Sequence, residues 1–210
     1  MSERILVPEI LDRLDPADPE ARRSRRDLRA LDVVMGNSRW IVRSLAGFSL
    51  RHIVELGAGE GWLVRRLTKE SVARHVSGID LLPRPPDLPA GIGWLQGDLA
   101  EVLPTIDADA VVASLVLHHF SDERLRSWGE CIRRSRVVVV SEPWRDRFPL
   151  HCSYLAWPFV GRVTRHDMPV SIRAGFRKGE LPGLMGLDGR WKVHETCRWR
   201  GAVRLLAWRN

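Results

Sequence analysis

Val54-Glu55-Leu56-Gly57-Ala58-Gly59-Glu60-Gly61 reads as a short apolar strand running into a turn with glycine at three alternate positions. Glycine tolerates a positive φ and lets backbone come close to a bound ligand, so this turn is a ligand-binding candidate. The spacing excludes two common phosphate loops. A dinucleotide fold uses G-x-G-x-x-G/A, which needs glycine or alanine at position 62, and Trp62 stands there. A P-loop needs Gly-Lys-Ser/Thr after the glycines, and none follows.

Outward from the loop, strands and helices alternate. Residues 53–56 form a strand, 62–71 a helix, 76–81 a strand cut off by Pro83-Arg84-Pro85-Pro86, and 92–95 a third strand ending in Gly97-Asp98. The continuous apolar run over 108–117 suits a strand buried on both faces. Residues 122–133 read as a helix with Ser121 as N-cap, and Val137-Val138-Val139-Val140 as a strand. Alternation of this kind implies a parallel, doubly wound α/β sheet. Before the loop, a short helix is expected over 8–14 and a longer one over 20–35, with Leu28, Leu31, Val34 and Met35 on its apolar face. Gly36-Asn37 ends it, and 39–46 follows as a third helix. After Pro143 the chain reads as irregular and aromatic. A helix over 179–185 then leads to strands at 191–199 and 202–208, paired as an antiparallel hairpin around Arg200-Gly201.

The bulk properties narrow the class. The chain has 210 residues, 44% hydrophobic and 28% charged, which suits one soluble globular domain. No run approaches the ~18–20 apolar residues of a membrane span. Met1-Ser2-Glu3-Arg4 lacks a secretory pattern, so a cytoplasmic location is expected. Cys131, Cys152 and Cys197 are scattered and no C-x-x-C occurs, so neither a disulfide framework nor a metal site is expected. The net charge of +7 invites a nucleic-acid reading. However, the basic residues are spread along the chain, and the one run, Arg22-Arg23-Ser24-Arg25-Arg26, reads as the solvated face of a helix.

Glu55-x-Gly57-x-Gly59-x-Gly61 resembles the acid-x-Gly-x-Gly-x-Gly motif of class I S-adenosylmethionine-dependent methyltransferases. The resemblance implies a Rossmann-like, seven-stranded, mostly parallel sheet with a terminal antiparallel hairpin. A helical lid over residues 1–50 would precede a methyltransferase domain over 51–210. S-adenosyl-L-methionine would lie on Gly57, Ala58, Gly59 and Gly61, with Glu55 near its ammonium group. Asp80, followed by Leu81, would take the ribose hydroxyls, and Asp98, followed by Leu99, would face the adenine. Taken singly, each acid is equally a turn residue or a helix cap. Their places at the ends of successive strands, where open α/β sheets bind ligands, favour a site.

Val116-Leu117-His118-His119-Phe120, followed by Ser121-Asp122-Glu123, is similar to the loop after the fourth strand in ubiquinone and menaquinone methyltransferase-like proteins. That places His118 and His119 beside the sulfonium, as candidate catalytic groups that orient an acceptor or take its proton. The plainer alternative is that a histidine here shapes the loop. The segment after Pro143 is expected to line the acceptor pocket through His151, Tyr154, His166 and Arg173, or else to pack a helix onto the sheet. Ser171-Ile172-Arg173-Ala174-Gly175-Phe176 resembles a stretch of methyltransferases encoded beside polyketide and phenolic-lipid genes. The expected reaction is methyl transfer to oxygen or carbon of a small aromatic, phenolic or quinone-like acceptor. The alternatives are a ribose or guanine RNA methyltransferase of the same fold and a non-catalytic cofactor-fold protein. Expected partners are the small-molecule acceptor and, in a homodimer, a second copy; neither nucleic acid nor a membrane is expected.

Overall fold

The computed structural model describes residues 3–209, so residues 1 and 2 of the expected lid lie outside it. Strands β1 (Leu50–Leu56), β2 (Ala73–Asp80), β3 (Gly93–Gln96), β4 (Ala110–Ser114), β5 (Val137–Pro143), β6 (Lys192–Arg198) and β7 (Ala202–Trp208) form one sheet. Their order is β3-β2-β1-β4-β5-β7-β6. The first five are parallel, and β7 runs antiparallel to both β5 and β6, closing the hairpin at Gly201 (φ +91°). The chain winds from β1 outward to β2 and β3, then returns to lay β4 on the other side of β1. That reversal lies at the carboxyl ends of β1 and β4, where open α/β sheets bind ligands.

The helices are α1 (Pro19–Met35), α2 (Asn37–Leu45), α3 (Trp62–Lys69), α4 (Leu99–Val102), α5 (Asp122–Ile132), α6 (Arg147–Leu155), α7 (Arg162–Ala174) and α8 (Glu180–Met185). They cover both faces of the sheet. Ile41, Leu45, Leu63 and Leu67 of α2 and α3 pack on one face with Ile53, Val112 and Val139. Leu125, Trp128, Leu181 and Met185 of α5 and α8 pack on the other with Val54, Val111 and Val140. Every position of β5 is buried, which is why Val137–Val140 can be apolar without a break.

Three expectations are corrected. The segment after Pro143 is not irregular but holds α6 and α7. Pro149, Pro158 and Pro169 obscure it: Pro149 sits in the first turn of α6, and Pro169 interrupts α7 without ending it. A proline costs an interior hydrogen bond, and here buried Val163, Ile172 and Ala174 hold the helix in place. Residues 8–14 form only a 3-10 turn at Leu11–Arg13. The buried side of α1 is not its expected apolar stripe, since Leu28 and Val34 are exposed and Ala21 and Ser24 are buried. Instead α1 is tied to α7 by polar bonds. Asp27 accepts from Gly161 N (2.7 Å) and Thr164 Oγ1 (2.9 Å), and Thr164 Oγ1 also bonds Ser24 Oγ (3.1 Å).

Candidate active site

Gly57, Gly59 and Gly61 all take positive φ, +63°, +54° and +74°. Two of them also fit closely. A Cβ on Gly57 would come within 2.3 Å of Val116 Cγ2, and one on Gly61 within 2.9 Å of Leu88 Cδ1. The loop after β4 therefore rests directly on the glycine turn. Gly59 faces open space, the side from which a ligand can approach. Asp80 ends β2 and braces the turn, accepting from Gly59 N at 2.7 Å and from Leu82 N at 2.9 Å. A carboxylate has about four acceptor positions, so two remain for hydroxyl donors. Beside it, Leu81 is 69% exposed. Asp98 caps α4 through Ala100 N (2.8 Å), so the helix-cap reading holds for one of its oxygens, while Leu99 is buried beneath it.

Glu55 stands near the end of β1, just before the glycine turn. Its side chain is buried, and its Oε2 has no hydrogen-bond partner. Burial, with Asp80 and Asp32 adding repulsion, pushes its pKa well above the usual carboxylate range, despite a backbone bond from Val64 that opposes the shift. A buried acid with an orphaned oxygen is a site for a cation. Arg29 of α1 reaches the same turn, with Nη2 3.1 Å from Glu60 Oε2 and its guanidinium over the Trp62 ring at 4.7 Å. Asp32, one turn further along α1, accepts from Ser38 N and Oγ and faces the Glu55 side.

The loop after β4 is held by a residue that no sequence motif marks. Glu142 of β5 is wholly buried and accepts from Val116 N and Leu117 N (both 2.9 Å), His118 N (3.3 Å) and His118 Nδ1 (2.8 Å). These bonds hold Leu115 in left-handed backbone (φ +56°), strained for a branched side chain. On the far side, His118 Nε2 lies 3.4 Å from Glu9 Oε1, and Ser171 Oγ also donates to Glu9. Burial alone would depress the His118 pKa, but the two carboxylates outweigh it and lift it to about 9. Glu9 in turn is held below its usual range, because His118, His119 and Ser171 outweigh its own burial. His118 is thus a charged pin between two acids.

His119 differs. Its ring stacks at 4.2 Å on His118, its Nδ1 faces Asp12 Oδ2 at 3.4 Å, and 28% of its side chain is exposed. Its ligand atom, with those of Glu9 and His118, falls inside a 4.8 Å cluster that could share a metal ion, although the ion pair to Glu9 already satisfies His118. The remaining candidates are partly brought together. Tyr154 Oη accepts from Arg173 Nη2 at 2.9 Å, linking α6 to α7. His166 Nδ1 pairs with Asp167 at 2.8 Å, and Asp167 also receives Ile10 N and Leu11 N. His151 stands apart, exposed and bonded to Arg147 O of its own helix. The N-terminal segment crosses this region as a strap. Arg4 pairs with Asp122 at 2.5 Å and donates to the carbonyls of His118, Phe120 and Ala174.

Residues 54–136, from the glycine loop through α5, match the family model of a methyltransferase domain, Methyltransf_11. No curated protein matches the chain in sequence. Among solved structures it is similar to the methyltransferase domain of bacterial CtHen1 (TM-score 0.62, 17% identity, 84% of this chain and 99% of that one). It is also similar to the plantazolicin methyltransferase BamL in complex with a triazolic desmethylPZN analog and SAH (TM-score 0.67, 10% identity, 93% and 92%). A third is human N-acetylserotonin methyltransferase in complex with SAM (TM-score 0.62, 17% identity), where the match covers 95% of this chain and 61% of that one. At these identities the likeness is one of fold. Sheet order, terminal hairpin and glycine turn together define the class I methyltransferase architecture. With the family match lying over the glycine turn and its acids, the protein is an S-adenosylmethionine-dependent methyltransferase.

Proposed function

We propose that the enzyme methylates an oxygen or carbon of a small acceptor, aromatic, phenolic or quinone-like, with His119 as the group that orients it and takes its proton. The observation that carries this is His119 itself, partly exposed and braced by Asp12, on the loop that rests against Gly57. Bound S-adenosylmethionine supplies a methyl group already made electrophilic by its sulfonium. The chain's part is to hold the cofactor and the acceptor in line. Glu55 meets the ammonium, the glycine turn takes the chain of the cofactor, Asp80 the ribose, and Leu81, Asp98 and Leu99 the adenine. On the acceptor side His118, already charged and pinned, positions the loop, which leaves His119 to act as base. Tyr154, Trp157, Phe148 and Phe159, all substantially exposed, offer the aromatic surface a flat apolar acceptor needs.

Mass spectrometry of ligands that copurify would identify the acceptor class. With that acceptor, His119→Ala should lower kcat by ~10²–10⁴, the usual worth of a general base, and leave S-adenosylhomocysteine affinity unchanged. Near-normal turnover would remove the base role. The net charge of +7, with Arg22, Arg23 and Arg26 exposed on α1, keeps a ribose or guanine RNA methyltransferase as the second reading. It requires RNA affinity that falls steeply with salt.

A further inference from the structure

A cavity of about 330 Å³ lies where the β6–β7 hairpin meets the junction of α1 and α2. Arg39, Arg43, Arg198, Arg200 and Arg204 line it, and no acidic side chain does. Among the described residues, Arg39, Arg43 and Arg198 have no acidic partner. Arg204 is the centre of the set. It is 6% exposed, stacked over Trp40 at 5.2 Å, and its Nη2 donates to Met35 O (2.7 Å) and Asn37 Oδ1 (3.2 Å). Its Nε has no partner at all. The acid that acts on it, Asp32, is committed to Ser38. Burial and repulsion from Arg198 and Arg200 hold the Arg204 pKa below its ordinary value.

A buried guanidinium with an unmet N–H, ringed by like charges, is costly unless an anion completes it. Guanidinium forks match phosphate oxygens in geometry as well as charge. Beside them Trp199 is 69% exposed, an aromatic plane with the Arg200 guanidinium over its ring at 5.1 Å. We propose that this cavity binds the phosphate of a small ligand that also carries a flat ring, such as a mononucleotide. The volume suits a molecule of that size. A nucleic-acid strand would call for a basic groove that tracks its backbone, whereas these arginines line a single cavity.

Isothermal titration calorimetry on the full chain, with inorganic phosphate, uridine diphosphate and a single-stranded oligonucleotide, tests this. The pyrimidine keeps the nucleotide probe distinct from the adenosine of the cofactor. Uridine diphosphate should bind once per chain, more tightly than phosphate. Arg39→Gln with Arg198→Gln, both on the exposed rim, should weaken both ligands at least about tenfold, as expected for lost charge-assisted hydrogen bonds. The melting temperature and S-adenosylhomocysteine affinity of that variant should be unchanged. Trp199→Ala should weaken uridine diphosphate and spare phosphate. No binding of either, or binding indifferent to the arginine substitutions, would overturn the proposal. Tight oligonucleotide binding with steep salt dependence and none of uridine diphosphate would also overturn it, in favour of a strand-binding face.

Discussion

Glu55 shows how one residue can be marked by its discomfort. A carboxyl buried beside the glycine turn, with Oε2 unpartnered, has its pKa pushed well above the usual carboxylate range by burial. A raised acid pKa means that the folded chain prefers the protonated form. Its relative stability is therefore complete below the ordinary value of 4.5 and is lost as pH rises through the higher folded value. An ammonium beside it reverses that preference by rewarding the charged form. S-adenosylhomocysteine affinity in the wild type should thus climb with pH through the titration of Glu55. In Glu55→Gln it should be flat and weaker by roughly 10- to 100-fold, the worth of a charged hydrogen bond. Titration calorimetry at several pH values reads both; a Gln variant of unchanged affinity would sink the assignment. Glu55 and Asp80 were legible in the sequence because spacing along a strand and its turn fixes where they stand. Glu9 and Glu142 were not, because each meets His118 only across the fold and neither lies in a recognisable local pattern.

The loop between β4 and α5 owes its shape to a neighbouring strand. Glu142, at the end of β5, gathers three successive backbone N–H groups and one imidazole, and so holds Leu115 in its strained turn. Because the His118 pKa is raised, the pin stabilises the fold fully below the unfolded value of 6.5. Its contribution declines between 6.5 and about 9 and is absent above that. A shift of that size corresponds to about 3 kcal/mol at its fullest. Thermal melts should therefore separate wild type from His118→Gln widely at pH 6 and narrowly at pH 10; a gap constant with pH would contradict the charged pin. The elements with clean periodicity, the five parallel strands and the terminal hairpin, could be read directly. Helices α6 and α7 could not, since prolines and aromatics mask their period, and in α7 it is the scattered buried residues Val163, Ile172 and Ala174 that hold the helix. Helix α1 was legible as a helix, but its buried side was not, because that side is small and polar.

On the scale of the whole molecule, residues 3–35 stand apart from the two packed faces of the sheet. Helix α2 is part of the core, with Ile41 and Leu45 fully buried, whereas α1 buries only Ala21 and Ser24. What attaches α1 and the strap is polar: Asp27 to α7, Arg29 to the glycine turn, Asp167 to Ile10 and Leu11, and Glu9 to His118. A segment joined by polar bonds rather than by a shared core can open without unfolding what lies beneath, the behaviour expected of a lid. It touches two neighbouring segments at once, the glycine turn through Arg29 and the loop after β4 through Glu9 and Asp12. Removing residues 1–35 should therefore leave a folded, cooperative domain, because both hydrophobic faces remain covered. That domain should bind S-adenosylhomocysteine more weakly, and Arg29→Ala in the full chain should reproduce part of the loss. Calorimetry with circular dichroism on the truncated chain decides between the readings. Unchanged affinity would reject the lid, and loss of the folded signal would show that the strap belongs to the core after all.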